Sequence, residues 1–175
     1  PLHNPANLEG ILSMERVLPG IKQVAVFDTS FHHTIPAINY MYAIPYEYYE
    51  KYRVRKYGFH GTSHKFVART AAEMFGLDFE KAKIITCHIG NGASVTAVKE
   101  GKSFDTSMGF TPLDGLAMGT RAGSMDVSAA TYIAEKEGMS YKELDAMLNK
   151  RSGVQGLSGI SSDMRDIDAA YDKGN

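Results

Sequence analysis

The sequence predicts an α/β fold, and three patterns support that prediction. A segment from Thr62 to Phe75 carries apolar residues at helical spacing and stops at Gly76. Three short strand patterns follow between Lys83 and Ser107, separated by tight turns. Two more helical patterns lie between Asp126 and Lys150. Helix, antiparallel meander and paired helices in this order fit a layered α/β architecture.

The N-terminal part predicts one helix and one strand. The helix spans Pro5 to Leu18, with Asn4 as its cap and Pro19-Gly20 at its end. The strand spans Gln23 to Phe27 and ends at Asp28. A carboxylate at the end of an apolar strand can project into a cleft, although Asp-Thr-Ser is also an ordinary turn sequence.

Residues 35–57 form a tyrosine-rich segment with seven tyrosines. Two prolines, Pro36 and Pro45, predict a loop followed by a short helix after Pro45. Tyrosine is enriched where one protein surface meets another. We therefore expect this segment to pack against a second domain or a second subunit; the alternative is a tyrosine-rich surface without function.

The helix from Thr62 is followed by a strand-turn-strand pattern around Gly90-Asn91-Gly92. Lys83–Cys87 and Ser94–Val98 are the strands, and Glu100-Gly101 turns the chain into Lys102–Ser107. Two residues without Cβ can take left-handed angles and let the backbone approach a ligand. Successive free N–H groups in such a turn form an anion site, for which phosphate is the expected guest. Taken alone, a Gly-x-Gly sequence more often marks an ordinary turn.

The remainder of the chain predicts loops and helices. Ser140 and Glu143 match a capping box at the start of one helix. In chain order the elements are a glycine-rich loop (Phe110–Ser124), two helices (Asp126–Glu137 and Tyr141–Lys150), a polar loop (Ser152–Ser162) and a last helix from Asp163.

Composition excludes several classes of function. The 175 residues carry 19 basic and 20 acidic side chains, so no basic surface predicts nucleic acid as a partner. The basic residues of Lys51–Lys56 read as a solvated helix end. Cys87 is the only cysteine, which suits a reducing compartment, and its strand position predicts a packed thiol. Neither a membrane-length apolar run nor a signal peptide is seen, so we expect no membrane partner and a cytoplasmic location.

Three more segments combine flexible residues with groups suited to phosphate chemistry. They are residues 24–32, 57–64 and 118–126, which contain Asp28, His60 and Arg121. A guanidinium on a glycine-rich loop suits the oxygens of a phosphoryl group. His32, His33 and His64 could suggest zinc, but their spacing matches no recognised ligand pattern.

Familiar nucleotide-binding motifs do not account for these segments. No Gly-Lys-Ser/Thr follows the Gly-Asn-Gly turn, so it is not a P-loop. The third glycine of a dinucleotide fingerprint is absent, and a strand rather than a helix follows. The protein-kinase Asp and Asn spacing is absent too.

Taken together, the segments resemble the acetate kinase family with its propionate and butyrate kinase relatives. The matching text runs in family order along nearly the whole chain. It comprises Phe-Asp-Thr-Ser-Phe-His (27–32), Tyr-Gly-Phe-His-Gly-Thr-Ser-His (57–64), His-Ile-Gly-Asn-Gly-Ala-Ser (88–94), Asp-Thr-Ser-Met-Gly-Phe-Thr-Pro-Leu (105–113) and Gly-Thr-Arg-Ala-Gly (119–123).

The resemblance implies an actin/hexokinase-like (ribonuclease H-like) fold, present in part, with an antiparallel phosphate-binding hairpin. Residues 1–30 would end the first domain, and residues 31–175 would begin the second. The family's first-strand serine segment, early substrate arginine, adenosine-binding region and late metal-binding glutamate have no counterpart here. The chain therefore looks like the middle of a family member, truncated at both ends.

The resemblance also implies roles for particular residues. The catalytic set would be Asp28, which also binds Mg²⁺, together with His60 and Arg121. The phosphates of ATP would be held by His88, Gly90, Asn91 and Gly92, and the acyl group by Leu2, Phe59 and Pro112.

The implied reaction is reversible transfer of the ATP γ-phosphate to acetate, giving acetyl phosphate and ADP, by a homodimer. Three alternatives stay open at this point. They are a propionate or butyrate kinase, a nucleotide-binding fragment without turnover, and an interaction module built on the tyrosine-rich segment.

Overall fold

The computed structural model describes residues 4–175. Its elements follow the predicted order, with one small sheet among short helices. They are α1 (Asn4–Val17), a 3₁₀ helix (Ser30–Thr34), α2 (Ala37–Tyr40), α3 (Glu47–Tyr52), α4 (Gly61–Met74), β1 (Lys83–Ile89), β2 (Ala93–Lys99), β3 (Lys102–Thr106), α5 (Val127–Glu137), α6 (Tyr141–Lys150), α7 (Gly153–Ser158) and α8 (Met164–Asp172).

The sheet confirms the predicted antiparallel meander, in the order β1-β2-β3. Lys83 pairs with Lys99 and Ile89 with Ala93, so β1 and β2 form a hairpin closed by residues 90–92. Within that turn the Gly90 N–H donates to the Gly92 carbonyl at 3.1 Å. Neither glycine takes a positive φ, so the expectation of left-handed angles there was wrong. A Cβ would fit at either glycine, since its nearest neighbour would lie 3.4 Å away in both cases.

Helix α4 and the 3₁₀ helix pack against the sheet. One small apolar cluster joins Phe31, Ala68 and Val98, and a second joins Ala93, Met108 and Met118. Much of the remaining buried surface is polar, since His32, His64, Thr86, Ser94, Thr96, Ser103 and Thr106 are all buried. Buried polar groups must be hydrogen-bonded to be tolerated, and no buried side-chain polar atom of the described residues lacks a partner.

The face that α4 buries differs from the predicted one. Its predicted apolar stripe was Phe66, Val67, Ala71, Met74 and Phe75, yet Phe66, Val67, Met74 and Phe75 are exposed. The side buried instead holds small residues and a histidine: Gly61, His64, Ala68 and Ala72. His64 faces the sheet because it has hydrogen-bonding partners there. The small side chains let α4 lie close to the sheet.

Three other predictions were wrong. Residues 23–27 pair with no strand in the described part of the chain, and Val24 and Phe27 are largely exposed. A strand exists only with a partner. Cys87 is exposed, because alternation along β1 turns Thr86 inward and Cys87 outward. Part of the predicted loop at 152–162 is helix α7.

The other helices confirm their predictions to within a residue or two. The Ser140 side chain accepts from the Glu143 N–H, and Glu143 accepts from the Ser140 N–H, which is the predicted capping box. A short helix follows Pro45 as predicted, and Asp163 caps α8. Helix α2 was not predicted.

Among residues 4–175, no helix combines the length and the apolar character needed to cross a membrane. The tyrosine-rich segment leaves Tyr46, Tyr48 and Tyr52 exposed. Its packing against a second domain or subunit stays a prediction.

Candidate functional site

His60 sits at the start of α4 in a left-handed conformation, with φ 57° and ψ 24°. A non-glycine residue in this region is strained by about 1–3 kcal/mol, and such strain concentrates at functional sites. The His60 N–H donates to Asp28 Oδ2 at 2.9 Å. The Gly61 N–H donates to the Asp28 carbonyl at 2.8 Å. Asp28 is thereby fixed at the N-terminus of a helix, where a negative charge is favoured.

Gly61 makes this junction possible. A Cβ added at Gly61 would lie 2.5 Å from the Asp28 carbonyl oxygen, so no larger residue fits without moving the backbone. The sequence His60-Gly61 therefore does two things at once. It begins the helix, and it brings the imidazole and the carboxylate to the same edge of the sheet.

The His60 ring is held from two sides. It stacks on His88 with ring centroids 4.0 Å apart, and its Nδ1 lies 2.8 Å from Ser94 Oγ. His88 in turn is 2.9 Å from Ser63 Oγ through its own Nδ1. These contacts leave the Nε2 side of His60 directed toward the hairpin turn.

Arg121 reaches the same turn. A Cβ built on Gly92 would lie 3.4 Å from Arg121 Nη1 and 3.5 Å from His60 Nε2. Arg121 Nη1 donates to the Pro112 carbonyl at 3.4 Å. No carboxylate in the part of the chain described lies within salt-bridge distance of Arg121. Its guanidinium can therefore bind an incoming anion.

The loop that carries Arg121 is tied to the hairpin turn through Asn91. The Gly119 N–H donates to the Asn91 carbonyl at 3.0 Å. Asn91 Oδ1 occupies the place that a Cβ on Gly119 would take. The two glycine-rich segments thus contact each other directly, and a glycine is needed at position 119 where they meet.

An open cavity of about 820 Å³ lies beside this contact. Among its lining residues are Gly90, Asn91, Met118, Gly119 and Asp163. Ligand pockets typically enclose about 300–1,000 Å³, so the cavity has the volume of a small-molecule site.

The structure brings together most of the residues predicted for the site. His60 and Arg121 meet at Gly92, while Asp28 and His88 contact His60. Gly90 and Asn91 line the adjoining cavity.

The predicted acyl-pocket residues lie at different contacts. Pro112 meets Arg121, whereas Phe59 packs beside the Ala93–Met108–Met118 cluster. Leu2 lies outside the described residues.

Asp28 is the one predicted metal ligand, and it is exposed. No group of three or more His, Cys, Asp or Glu residues among residues 4–175 could hold a metal by itself. Mg²⁺ usually keeps several waters and takes one or two carboxylates together with substrate phosphates. The single exposed carboxylate of Asp28 fits that mode of binding.

Sequence reasoning named His32 and His64 but missed the buried partners that hold them behind His60. His64 contacts Thr86 Oγ1 through Nδ1 and Ser94 Oγ through Nε2, at 2.7 Å in each case. His32 similarly joins Ser103 Oγ and the Phe59 carbonyl, at 2.8 Å each. The available signal was the spacing of His60 and His64, which places both on one face of a helix.

Comparison with known proteins identifies the family of this chain. The profile of the Acetokinase family matches residues 1–175. The chain belongs to the acetokinase family. It is 62% identical to the acetate kinase of Caldanaerobacter subterraneus subsp. tengcongensis over 176 aligned residues, covering 100% of this chain and 44% of that protein.

Two solved structures share the fold. The chain is similar to the crystal structure of Porphyromonas gingivalis acetate kinase, with a TM-score of 0.97, 53% identity and coverage of 100% of this chain and 44% of that one. It is also similar to a propionate kinase structure from Francisella tularensis, with a TM-score of 0.94, 52% identity and coverage of 100% and 45%. The expected actin/hexokinase-like α/β fold is confirmed, as a partial domain. The chain spans less than half the length of these acetokinase relatives.

In this acetokinase chain the buried His64 makes stability depend on pH. Burial, followed by the nearby His32, His60 and His88, lowers the pKa of His64 from 6.5 to about 4, while Asp28 raises it slightly. The unfolded chain therefore binds a proton at higher pH than the folded one. The stabilisation is complete above the unfolded pKa of 6.5 and is lost as pH falls toward 4, by about 3 kcal/mol in total.

We expect urea unfolding at pH 7 and pH 4.5 to show a large loss of stability in the parent, and a smaller loss in His64→Gln. The matched control is His33→Gln, since His33 is exposed. An equal loss in the parent and in His64→Gln would contradict the prediction.

Proposed function

We propose that the whole protein is an acyl kinase that transfers the γ-phosphate of ATP to acetate, giving acetyl phosphate and ADP reversibly. The observation that carries the proposal is the meeting of His60 and Arg121 at Gly92, next to Asp28. Phosphoryl transfer requires positioning and charge stabilisation more than covalent chemistry from the protein. An imidazole, a guanidinium and backbone N–H groups around one small space supply both.

Each residue then has a distinct role. Arg121 neutralises charge on the transferring phosphoryl group, and His60 donates a hydrogen bond to it. The N–H groups of Asn91 and Gly92 hold the neighbouring phosphates, while Gly90, whose N–H donates to the Gly92 carbonyl, shapes the turn. His88 stacks on His60 and keeps its ring in place.

Asp28 is proposed as the Mg²⁺ ligand. When bound, Mg²⁺ would neutralise negative charge on the ATP phosphate oxygens. Asp28 is held for this role by the His60 N–H, which leaves its second oxygen without a hydrogen bond to residues 4–175.

The acyl preference is proposed from the predicted pocket residues Leu2, Phe59 and Pro112. One methylene in such a pocket changes binding by about 1–3 kcal/mol, so acetate, propionate and butyrate compete closely. A propionate kinase is among the similar structures. Measuring kcat/KM for the three acids decides the order, and a preference for propionate or butyrate would replace acetate in the proposal.

Two further expectations remain proposals. A homodimer would use the tyrosine-rich segment, whose Tyr46, Tyr48 and Tyr52 are exposed. A domain boundary near residue 30 would place Asp28 where two domains meet. Light scattering of the whole protein tests the first, and a monomer at all concentrations would reject it.

The proposed reaction is tested with purified whole protein, ATP, Mg²⁺ and acetate by trapping acyl phosphate with hydroxylamine. Acetate-dependent product together with ADP supports the acyl kinase. ATP binding without any acyl phosphate would indicate the nucleotide-binding alternative instead.

Gly92→Val should weaken ATP binding at least about tenfold in the whole protein while the fold persists. Space exists for a Cβ at Gly92, with its nearest neighbours at 3.4 Å, but the added methyl groups would enter the gap between His60 and Arg121. Gly92→Ala is the matched control and should cost much less. Calorimetry measures both affinities, and equal ATP affinity in Gly92→Val and the parent would place the phosphates elsewhere.

A further inference from the structure

A chain of hydrogen bonds runs from the interior of the sheet to the ring of His60. Thr86 Oγ1 lies 2.7 Å from His64 Nδ1. His64 Nε2 lies 2.7 Å from Ser94 Oγ, which lies 2.8 Å from His60 Nδ1. Thr86, His64 and Ser94 are each at most 3% exposed, so these partners, rather than bulk water, decide where each proton lies.

The tautomers of His60 and His64 depend on each other through Ser94. Burial is the first cause that lowers the pKa of His64, so its ring is neutral at neutral pH and carries one N–H. Ser94 has one hydroxyl proton and lies between two ring nitrogens. If Ser94 donates to His60, it must accept from His64, and if it donates to His64, it must accept from His60. The tautomers of the two rings therefore change together.

The geometry at Thr86 selects one of the two arrangements. Its hydroxyl can donate to His64 Nδ1 at 2.7 Å or to the Thr96 carbonyl at 3.5 Å. Hydroxyl hydrogen bonds are about 2.5–3.0 Å long, so the first is favoured. His64 then carries its proton on Nε2 and donates to Ser94, and Ser94 donates to His60 Nδ1. The proton of His60 is left on Nε2, the nitrogen nearest Gly92.

We propose that Thr86 is a positioning residue which, through His64 and Ser94, keeps the proton of neutral His60 on Nε2. This makes His60 a donor toward a phosphoryl group at Gly92 without requiring a charged imidazole. The opposite tautomer would present a lone pair to the phosphate oxygens and repel them. The inference rests on the proposed function for its catalytic meaning, but the tautomer itself can be measured without activity.

The test compares Thr86→Val with Thr86→Ser in the whole protein. Valine keeps the shape and removes the hydroxyl, whereas serine retains it. Thr96→Val is the matched control, because the Thr96 hydroxyl is equally buried but pairs with Thr106 Oγ1 at 2.8 Å and not with a histidine. Nitrogen-15 NMR of labelled histidine distinguishes a protonated ring nitrogen from a bare one.

The parent, Thr86→Ser and Thr96→Val should all show His60 protonated on Nε2. Thr86→Val removes the hydroxyl that donates to His64 Nδ1, so His60 should no longer be held in one tautomer. Its fraction protonated on Nδ1 should rise above that of the parent, and kcat should fall by the same factor as the fraction protonated on Nε2, with little change in KM for ATP. A parent spectrum with the proton on Nδ1 would overturn the inference even if Thr86→Val failed to fold. So would an unchanged His60 tautomer in folded Thr86→Val.

The proposed function has a separate control. Full activity in His60→Ala would reject the role of His60 in phosphoryl transfer, whatever the tautomer.

Discussion

Replacing Arg121 by alanine should lower kcat of the whole protein by about 10³-fold or more, the effect of removing an arginine that stabilises phosphoryl-transfer charge. Arg121 is half-buried, points at Gly92 and forms no salt bridge within residues 4–175. Its charge is therefore available for the transition state rather than for a structural partner. Affinity for ATP should change far less, because in the proposed site the turn would still contact the other phosphates.

Steady-state kinetics with acetate and ATP, together with calorimetry of ATP binding, measure the two effects. Arg121→Lys keeps the charge without the planar fork and should fall between alanine and the parent. Arg16→Ala is the control on an exposed arginine of α1 and should be neutral. Activity of Arg121→Ala within a few-fold of the parent would remove Arg121 from the proposed mechanism.

The sequence predicted α4 but not the face it buries. Helical spacing of Phe66, Met74 and Phe75 indicated an apolar stripe, yet those side chains are exposed. Periodicity reports that a helix has an apolar side; it does not report which partner lies opposite. Here the partner is a sheet face carrying hydroxyl groups, so His64 and small residues face it.

The strand expected at residues 23–27 failed for a related reason. Alternating valines describe a segment that would suit a sheet, but a strand requires a neighbour that pairs with it. Within residues 4–175 none does, and Val24 and Val26 are left more than two-thirds exposed, at 85% and 72%. A local sequence pattern shows which secondary structure a segment prefers. It does not show whether another strand pairs with that segment.

The candidate site was likewise predictable in part. Asp28, His60 and Arg121 could be named from short motifs, because each lies among flexible residues that mark a loop. The hydrogen-bonded chain behind His60 could not be predicted, although His64 and Ser94 lie in the quoted motifs, because Thr86, Ser94 and His64 come from β1, β2 and α4 and meet only in the folded chain. Single buried hydroxyls carry no sequence signal of their own.

Gly153→Ala should be the most damaging small substitution away from the reacting groups. Gly153 has φ +62°, and an added Cβ would collide with the Met118 carbonyl and lie 2.7 Å from the Arg121 carbonyl. The start of α7 also anchors the Arg121 loop, since the Val154 N–H donates to the Met118 carbonyl at 2.9 Å and the Gln155 N–H to the Gly119 carbonyl at 3.0 Å. Moving this helix moves the loop.

We expect Gly153→Ala to lower the free energy of unfolding by about 3 kcal/mol, from backbone strain and overpacking together. It should also lower kcat about 10²-fold, because a misplacement of about 1 Å in a positioning group has that effect. Denaturant unfolding and steady-state kinetics of the whole protein measure the two consequences.

Gly159→Ala is a close control, because Gly159 ends the same helix with φ +66° and has nothing within 4 Å of an added Cβ. Gly159→Ala should lower the free energy of unfolding by about 1 kcal/mol, because alanine is strained in the left-handed backbone conformation, but its Cβ collides with nothing. The excess loss in Gly153→Ala over Gly159→Ala therefore measures the contact between α7 and the Arg121 loop. If the two variants lost equal stability and both kept the parent kcat, α7 would not be what holds Arg121 at the turn.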